Sequence, residues 1–557
     1  MPYHHSILPL STHREKVTEV RWGIADFRRR FGREPDGMWL PETAVDEETL
    51  DVLAQAGIRF TILAPSQVEA PPPRGLPGLV RTAGGRRIVV FVYDGGISHD
   101  VAFGPLVRDG MAWSARMLAT PPGGDPPALV SVATDGETYG HHHAFGEMAL
   151  VHTITRLLDV PAVTVDNFAA FLARHPAMHE VKLVAPSAWS CNHGVERWRS
   201  DCGCKIAPDQ PTQQRWRSPL REAVAWLTAE CHALYRREAT ALLADPDQAL
   251  ADFGGVIGAG AEAVQRHGRA HARPGLGPAE VVRATELLEM ERGALRTLTS
   301  CAWFFDDISG LEAQQLFRYA AWAIEHTGPE AERIERGFLQ RLAPAESNVR
   351  TLGTGRELYL QRARPHLPPP IRIAGGLAAA RAFAPEAATS AAWALTGPDG
   401  DARLTNLRTG RMHAVAIELA REDLEVQVTI RSPLRDAPVV LQLADLPERQ
   451  RTAVTAVLRG AVLARLLEPV EHEALARGDA LRPVLRQALV RRVHGLAQGH
   501  GPEERRAVVD LLVMLEDLGQ AVPFDAQTAF YRVWQAGNLD DPAMAELARR
   551  MGFDTGR

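Results

Sequence analysis

Ala133-Thr134-Asp135-Gly136-Glu137-Thr138-Tyr139-Gly140-His141-His142-His143-Ala144-Phe145-Gly146-Glu147 closes an apolar run over residues 128–133. That run has the length and composition of a short buried strand, and it stops abruptly at Asp135. Packing does not require two carboxylates, a tyrosine and three imidazoles at the end of a strand. In chains that alternate strands and helices, such a cluster marks chemistry at the carboxyl ends of the strands. Outward from it, residues 15–31 read as a helix with Val17, Val20, Ile24 and Phe27 on one stripe. Residues 37–40 read as a short strand ending in Pro41-Glu42, and Asp46 as the cap of a helix carrying Leu50, Leu53 and Ala54. Residues 58–63, 87–93 and 181–184 continue the strands, with a proline-rich loop at Pro71-Pro72-Pro73. This alternation predicts an α/β fold with a parallel sheet or barrel.

From residue 187 to about 363 the pattern turns mostly helical, with long helical spacings over 220–243 and 278–299. Pro365-His366-Leu367-Pro368-Pro369-Pro370 reads as a linker, residues 412–430 as a small β element, and 447–518 as helices with solvated charged faces. The predicted division is 1–186, 187–363 and 371–557, the last a mixed α/β part.

The 557 residues are 45% hydrophobic and 23% charged, which suits an ordinary globular protein. A net charge of −6 argues against a nucleic-acid scaffold. Five cysteines indicate a reducing compartment rather than a disulfide framework. No apolar stretch reaches the ~18 residues of a membrane span. Met1-Pro2-Tyr3-His4-His5-Ser6 lacks the basic and apolar regions of a signal peptide, so a cytoplasmic protein without membrane partners is expected.

Glu42 is the first candidate partner for Asp135, since it also lies immediately beyond a predicted strand. Splitting a glycosidic bond with retention needs one carboxylate as nucleophile and one carboxylic acid to protonate the leaving oxygen, held ~5–5.5 Å apart. Trp39 offers an apolar face on which a sugar stacks. The competing reading is that Glu42 merely begins the following helix, where the macrodipole favours an acid.

These residues resemble a family. Trp39-Leu40-Pro41-Glu42 and Asp135-Gly136-Glu137-Thr138-Tyr139-Gly140-His141 are similar to two motifs of the family 57 glycoside hydrolases. The resemblance implies action on α-glucans, as in amylases, 4-α-glucanotransferases and branching enzymes. It implies a seven-stranded (β/α) barrel followed by a helical region, and a retaining mechanism without cofactor. The family's nucleophile falls on Glu42 and its acid/base on Asp135; Glu137, Tyr139, Gly140 and His141 match the rest of the second motif. Trp22-Gly23-Ile24, Phe31-Gly32-Arg33 and Ala56-Gly57-Ile58-Arg59-Phe60 also resemble the family. His5 matches a histidine near the reacting sugar, and Asp94, in Tyr93-Asp94-Gly95, is placed to bind sugar hydroxyls. Ser300-Cys301-Ala302-Trp303-Phe304-Phe305-Asp306-Asp307 resembles a helical-region motif that closes the active site, with Trp303 and Asp306 as substrate contacts. Phe304 and Phe305 in it read as a buried aromatic cluster.

The resemblance runs to about residue 325 and is similar to a bacterial branch whose C-terminal part has no assigned function. Family members begin with a strand ending in a His-Gln-Pro type motif, and nothing like it precedes Tyr3. An incomplete (β/α)7 barrel over residues 1–186 is therefore expected, with exposed sheet edges. In the implied mechanism Glu42 attacks the anomeric carbon while protonated Asp135 donates to the departing oxygen. Asp135 then needs a raised pKa, from burial and from Glu137.

Three rival readings stand beside this one. His141, His142 and His143 suggest the metal site of a barrel-type polysaccharide deacetylase, but adjacent histidines point in different directions and no spaced histidine pair lies near. Cys191-Asn192-His193 and Cys202-Gly203-Cys204 are compatible with a zinc site of three cysteines and one histidine, at tighter spacing than usual. The loop between them, with Trp198, equally suits a sugar contact, and the plain alternative is free thiols. Finally, a carbohydrate-binding protein that has lost catalysis would keep the same motifs.

Overall fold

The computed structural model describes residues 1–119, 127–364, 368–422, 425–476, 481–496, 502–536 and 542–553. Thr12 starts the first helix, α1 (His13–Phe31). Its hydroxyl accepts from the Glu15 N–H, and the Glu15 carboxylate accepts from the Thr12 N–H at 2.7 Å. Gly32, at φ 67°, ends α1 in the left-handed conformation that glycine adopts without a Cβ penalty. Asp46 caps α2 (Glu47–Gln55) through the Thr49 N–H, as its position predicts.

Chain order then gives β1 (Phe60–Leu63), β2 (Gly78–Arg81), β3 (Arg87–Val92), α3 (Gly95–Ala102), α4 (Gly110–Leu118), α5 (Gly146–Leu158), α6 (Phe168–Arg174) and β4 (His179–Glu180). The sheet order is β1-β3-β2-β4. β1 runs parallel to β3 with Phe60 opposite Val89, β2 runs antiparallel to β3, and β4 runs parallel to β2. Alternating residues of these strands (Leu63, Val80, Ile88, Val90 and Val92) pack against Leu40, Leu50 and Leu53.

This mixed sheet corrects three expectations. Residues 128–133 form no strand and are only half-buried. Isolated backbone bonds reach them, from Leu129 N to Arg74 O and from Asp94 N to Ser131 O, and without a ladder on either side an apolar run is not a strand. Residues 37–40 are extended but join the sheet only through a bridge between Gly37 and Phe60. The predicted strand at 181–184 is displaced toward β4, with a single bridge from Leu183 to Val68.

The helical region holds α7 (Arg217–Leu242), α8 (Pro246–Phe253), α9 (Ala261–His271), α10 (Pro278–Arg296), α11 (Cys301–Phe304), α12 (Leu311–Glu325), α13 (Ala331–Leu342) and α14 (Gly355–Leu358). Its core of Leu220, Leu227, Leu287, Leu316 and Phe338 is continuous with Ile7, Trp22 and Ala44 from the N-terminal part. One compact unit accordingly spans Met1–His366 with Arg408–Gly410.

The second unit spans Leu367–Leu407 and Arg411–Arg557. Residues 365–367 of the expected linker lie outside the described residues; Pro369 instead opens α15 (Pro369–Phe383), where a missing N–H costs nothing. α15 packs on an antiparallel sheet of β5 (Trp393–Thr396), β6 (Ala402–Asn406), β7 (Met412–Glu422), β8 (Glu425–Arg431) and β9 (Val439–Gln442), in that order. Helices α16 (Glu448–Leu466), α17 (Pro469–Ala476), α18 (Leu481–Leu496) and α19 (Pro502–Asp517) follow within the stretch expected to be helical, and α20 (Phe524–Ala536) and α21 (Pro542–Arg550) lie beyond it. Among the described residues no helix is long and apolar enough to cross a membrane.

Candidate active site

Glu42 sits in a short turn, Pro41–Thr43, at φ 56°, and Thr43 follows at φ 49°. Left-handed backbone costs a non-glycine residue of order 1–3 kcal/mol, and a β-branched threonine more than most, so the surroundings must hold it. They do so through the loop after residue 187. Trp189 N–H donates to Glu42 O at 3.1 Å and to Thr43 Oγ1 at 3.1 Å, while Thr43 Oγ1 donates to Glu42 O at 2.7 Å.

The carboxylate itself is held by the same loop. Trp189 Nε1 donates to Glu42 Oε2 at 3.0 Å and Ser190 Oγ donates to the same oxygen at 2.5 Å. The half-buried Trp39 meets Trp189 edge-to-face, with centroids 5.2 Å apart at 67°. Tyr93 adds a third ring, 6.3 Å from Trp189, and burial pushes its hydroxyl up to about 12.

His5 also takes a left-handed backbone, at φ 58°. Its Nδ1 lies 2.7 Å from Ser300 Oγ and its carbonyl accepts from Ser300 N–H, which ties it to the helical region. Burial pulls the His5 imidazole below its ordinary pKa; the Glu42 charge, and less strongly the Asp135 charge, oppose that. Both carboxylates therefore lie within electrostatic reach of one imidazole. Asp135 is exposed at its edge, yet the protein mass around it raises its carboxyl above the usual range, and Glu137 raises it further. His142 and His5 act in the opposite sense. The direction and both causes are those an acid catalyst requires.

Around Asp135, Tyr139 stacks on Trp113 at 6.2 Å and 2°, and its hydroxyl meets Thr134 Oγ1 at 2.8 Å. His141 and His142 are exposed, with ring centroids 5.3 Å apart, whereas His143 Nε2 is used on Ala102 O at 3.0 Å. The three imidazoles do not converge; the described residues that could hold a metal are Cys191, His193, Cys202 and Cys204.

Several expected contacts have other work. Asp94 Oδ1 accepts from Ile97 N–H at 2.8 Å and so caps α3. Trp303 is fully buried, donates to Arg217 O at 3.1 Å and carries Arg221 3.8 Å above its ring; no sugar reaches it. Asp306 spends both oxygens on the N–H groups of Ile206 and Ala207, so it organises a loop. Phe305 is exposed rather than buried, and Phe304 lies under the Arg197 guanidinium at 3.9 Å. Trp198 is fully buried, which makes it an anchor of its loop and not a sugar contact. Conversely, Trp189, Ser190 and Thr43 hold Glu42 although their sequence neighbourhood carries no local sign of it.

Comparison with known proteins agrees with the N-terminal motifs. The sequence profile described as "Glycosyl hydrolase family 57" matches residues 1–182, and that of "Domain of unknown function (DUF3536)" matches residues 213–433. No curated protein sequence matches the chain. Among solved structures, an exo-type maltose-forming amylase from Pyrococcus sp. ST04 is similar at 16% identity over 69% of this chain and 74% of its own, with a TM-score of 0.50. A GH57-type branching enzyme from Pyrococcus horikoshii is 14% identical over 66% of this chain and 70% of its own, at a TM-score of 0.38. A 4-alpha-glucanotransferase from Thermococcus litoralis is 12% identical over 78% and 53%, at 0.35. The first of these likenesses concerns the fold alone. The chain is thus similar to glycosyl hydrolase family 57 over residues 1–182, and to a domain of unknown function over residues 213–433.

Proposed function

We propose that the chain is a retaining glycoside hydrolase or glucanotransferase acting on α-glucans, with Glu42 as nucleophile and Asp135 as acid/base. The observation that carries this reading is the handling of Glu42. Its Oε2 takes two hydrogen bonds, from Trp189 and Ser190, while among the described residues Oε1 has no hydrogen-bond partner. A carboxylate fixed by one oxygen presents the other to an electrophile with little reorganisation.

Glu42 Oε1 forms a bond to the anomeric carbon as the bond to the glycosidic oxygen breaks, and Asp135 gives that oxygen its proton. Asp135, now a carboxylate, takes a proton from water or from a sugar hydroxyl, whose oxygen displaces Glu42. Water as acceptor gives hydrolysis, a sugar gives transfer. His5, Trp39, Glu137, Tyr139 and His141 line the approach of the sugar. In this reading the four-stranded sheet is part of an incomplete (β/α)7 barrel, and the protein works in the cytoplasm.

One observation favours a second reading. Asp135 is exposed and the segment leading to it lacks a ladder, which suits a carbohydrate-binding protein that has lost turnover. Incubating the full chain with amylose separates the two. New reducing ends or branch points, abolished by Glu42→Ala and by Asp135→Ala, support catalysis; undiminished turnover in either variant refutes the assignment. Amylose binding without turnover supports the second reading.

A further inference from the structure

Cys191, His193, Cys202 and Cys204 come from two short pairs eleven residues apart, and the structure folds them onto one point. The connecting turn, Glu196–Trp198, drops Trp198 into the core, and Glu196 pairs with Arg199 and accepts from Ser200 Oγ at 2.7 Å. Gly203, at φ 83°, lets Cys202 and Cys204 turn toward the same side. One ligand atom from each of the four residues lies within 4.8 Å of the others.

The spacing discriminates between metal binding and other uses of these thiols. Metal–sulfur and metal–nitrogen bonds of ~2.3 and ~2.0–2.1 Å at tetrahedral angles put two sulfurs ~3.8 Å apart and a sulfur and a nitrogen ~3.6 Å apart. Cys204 Sγ is 3.9 Å from Cys191 Sγ and 3.6 Å from His193 Nδ1. A disulfide would need the sulfurs at ~2.05 Å.

The charge around the cluster agrees. Three thiolates and a neutral imidazole around a divalent ion leave one net negative charge. Arg217, fully buried, donates to Cys204 O at 2.9 Å, and among the described residues its Nε has no acceptor. A buried cation whose hydrogen bonds go to carbonyls is costly unless a negative group stands near. Arg197, also buried, donates to Ser190 O at 3.0 Å.

We propose that Cys191, His193, Cys202 and Cys204 form a structural zinc site, closed by four protein ligands. Binding releases three thiol protons to solvent, with no change in oxidation state. Cys191 lies one residue beyond Ser190 and two beyond Trp189, so the ion clamps the loop that holds Glu42. This site goes beyond the proposed glycosidase chemistry, and its test reads metal and stability alone.

Purified under reducing conditions, the full chain is expected to carry about one zinc per molecule by elemental analysis. Cys204→Ser and Cys202→Ser lose most of it, whereas Cys301→Ser, outside the cluster, keeps it. Because these variants are open to misfolding, the wild-type chain gives the second reading. Chelation lowers its Tm, zinc restores it, and cobalt taken up instead gives the visible bands and sulfur-to-cobalt charge transfer of a tetrahedral thiolate site. Failure of the reduced wild-type chain to take up zinc or cobalt overturns the proposal. So does a Cys191–Cys204 disulfide that persists in the folded protein and, once reduced, yields no metal uptake.

Discussion

The indole N–H of Trp189 donates to Glu42 Oε2 at 3.0 Å, across 147 residues of chain. This contact joins the N-terminal α/β part to the loop that opens the helical region. It fixes a carboxylate whose own backbone is strained. A hydrogen bond to a charged group contributes about 1.5–3 kcal/mol, so Trp189→Phe is expected to lower kcat roughly 10- to 100-fold. KM changes little, because the indole holds the proposed nucleophile and not the sugar. Ser190→Ala acts in the same direction, and steady-state kinetics on amylose check both.

In the proposed mechanism Asp135 acts as acid only while protonated. Its raised carboxyl extends the alkaline limb of the rate profile beyond the ordinary carboxylate range. Glu137→Gln removes a negative neighbour, lowers the Asp135 pKa and moves that limb to lower pH. A pH–kcat/KM series on both proteins reads the shift; an unmoved limb contradicts the coupling.

A buried ionic cluster makes stability depend on pH. His232 lies 2.8 Å from Glu291 and 3.1 Å from Glu15, and Arg14 lies 2.9 Å from Glu291. Burial alone would lower His232, but the Glu291 charge and the hydrogen bonds the imidazolium donates to both carboxylates outweigh it and raise the imidazole to about 9. Its folded pKa is above the unfolded value of ~6.5, so its contribution is complete below pH ~6.5 and is lost as pH rises through about 9. Tm is expected to fall across that window. His232→Leu loses about 3–5 kcal/mol, because two buried carboxylates lose a partner, and its Tm is flatter across the window. Calorimetry against pH tests both.

Thr12→Ala removes the hydroxyl that caps α1 and is expected to cost about 1 kcal/mol, read as a lower midpoint in urea with an unchanged slope.

Local patterns made much of this legible. Thr12 with Glu15, and Asp46 with Thr49, announce helix starts because caps act over three residues. The Gly84-Gly85 turn before β3 is a hairpin signal that points to β2, and Gly85 at φ 75° carries the turn. Residues 128–133 have the composition of a strand, but a strand exists only through its neighbours. At the site, Asp94 precedes a helix at capping distance, so its structural role was readable. Trp303 was not: four helical residues do not reveal which face meets the core. Trp189 and Ser190 were hidden because only the folded chain brings them to Glu42.

Covalent trapping tests the central claim most directly. An activated 2-deoxy-2-fluoro α-glucosyl or maltosyl fluoride slows breakdown of the glycosyl-enzyme more than its formation, so the ester accumulates. Peptide mass spectrometry is then expected to find the sugar on Glu42, with label absent from Glu42→Gln. Label on another carboxylate, or turnover of the reagent by Glu42→Gln at the wild-type rate, contradicts the account.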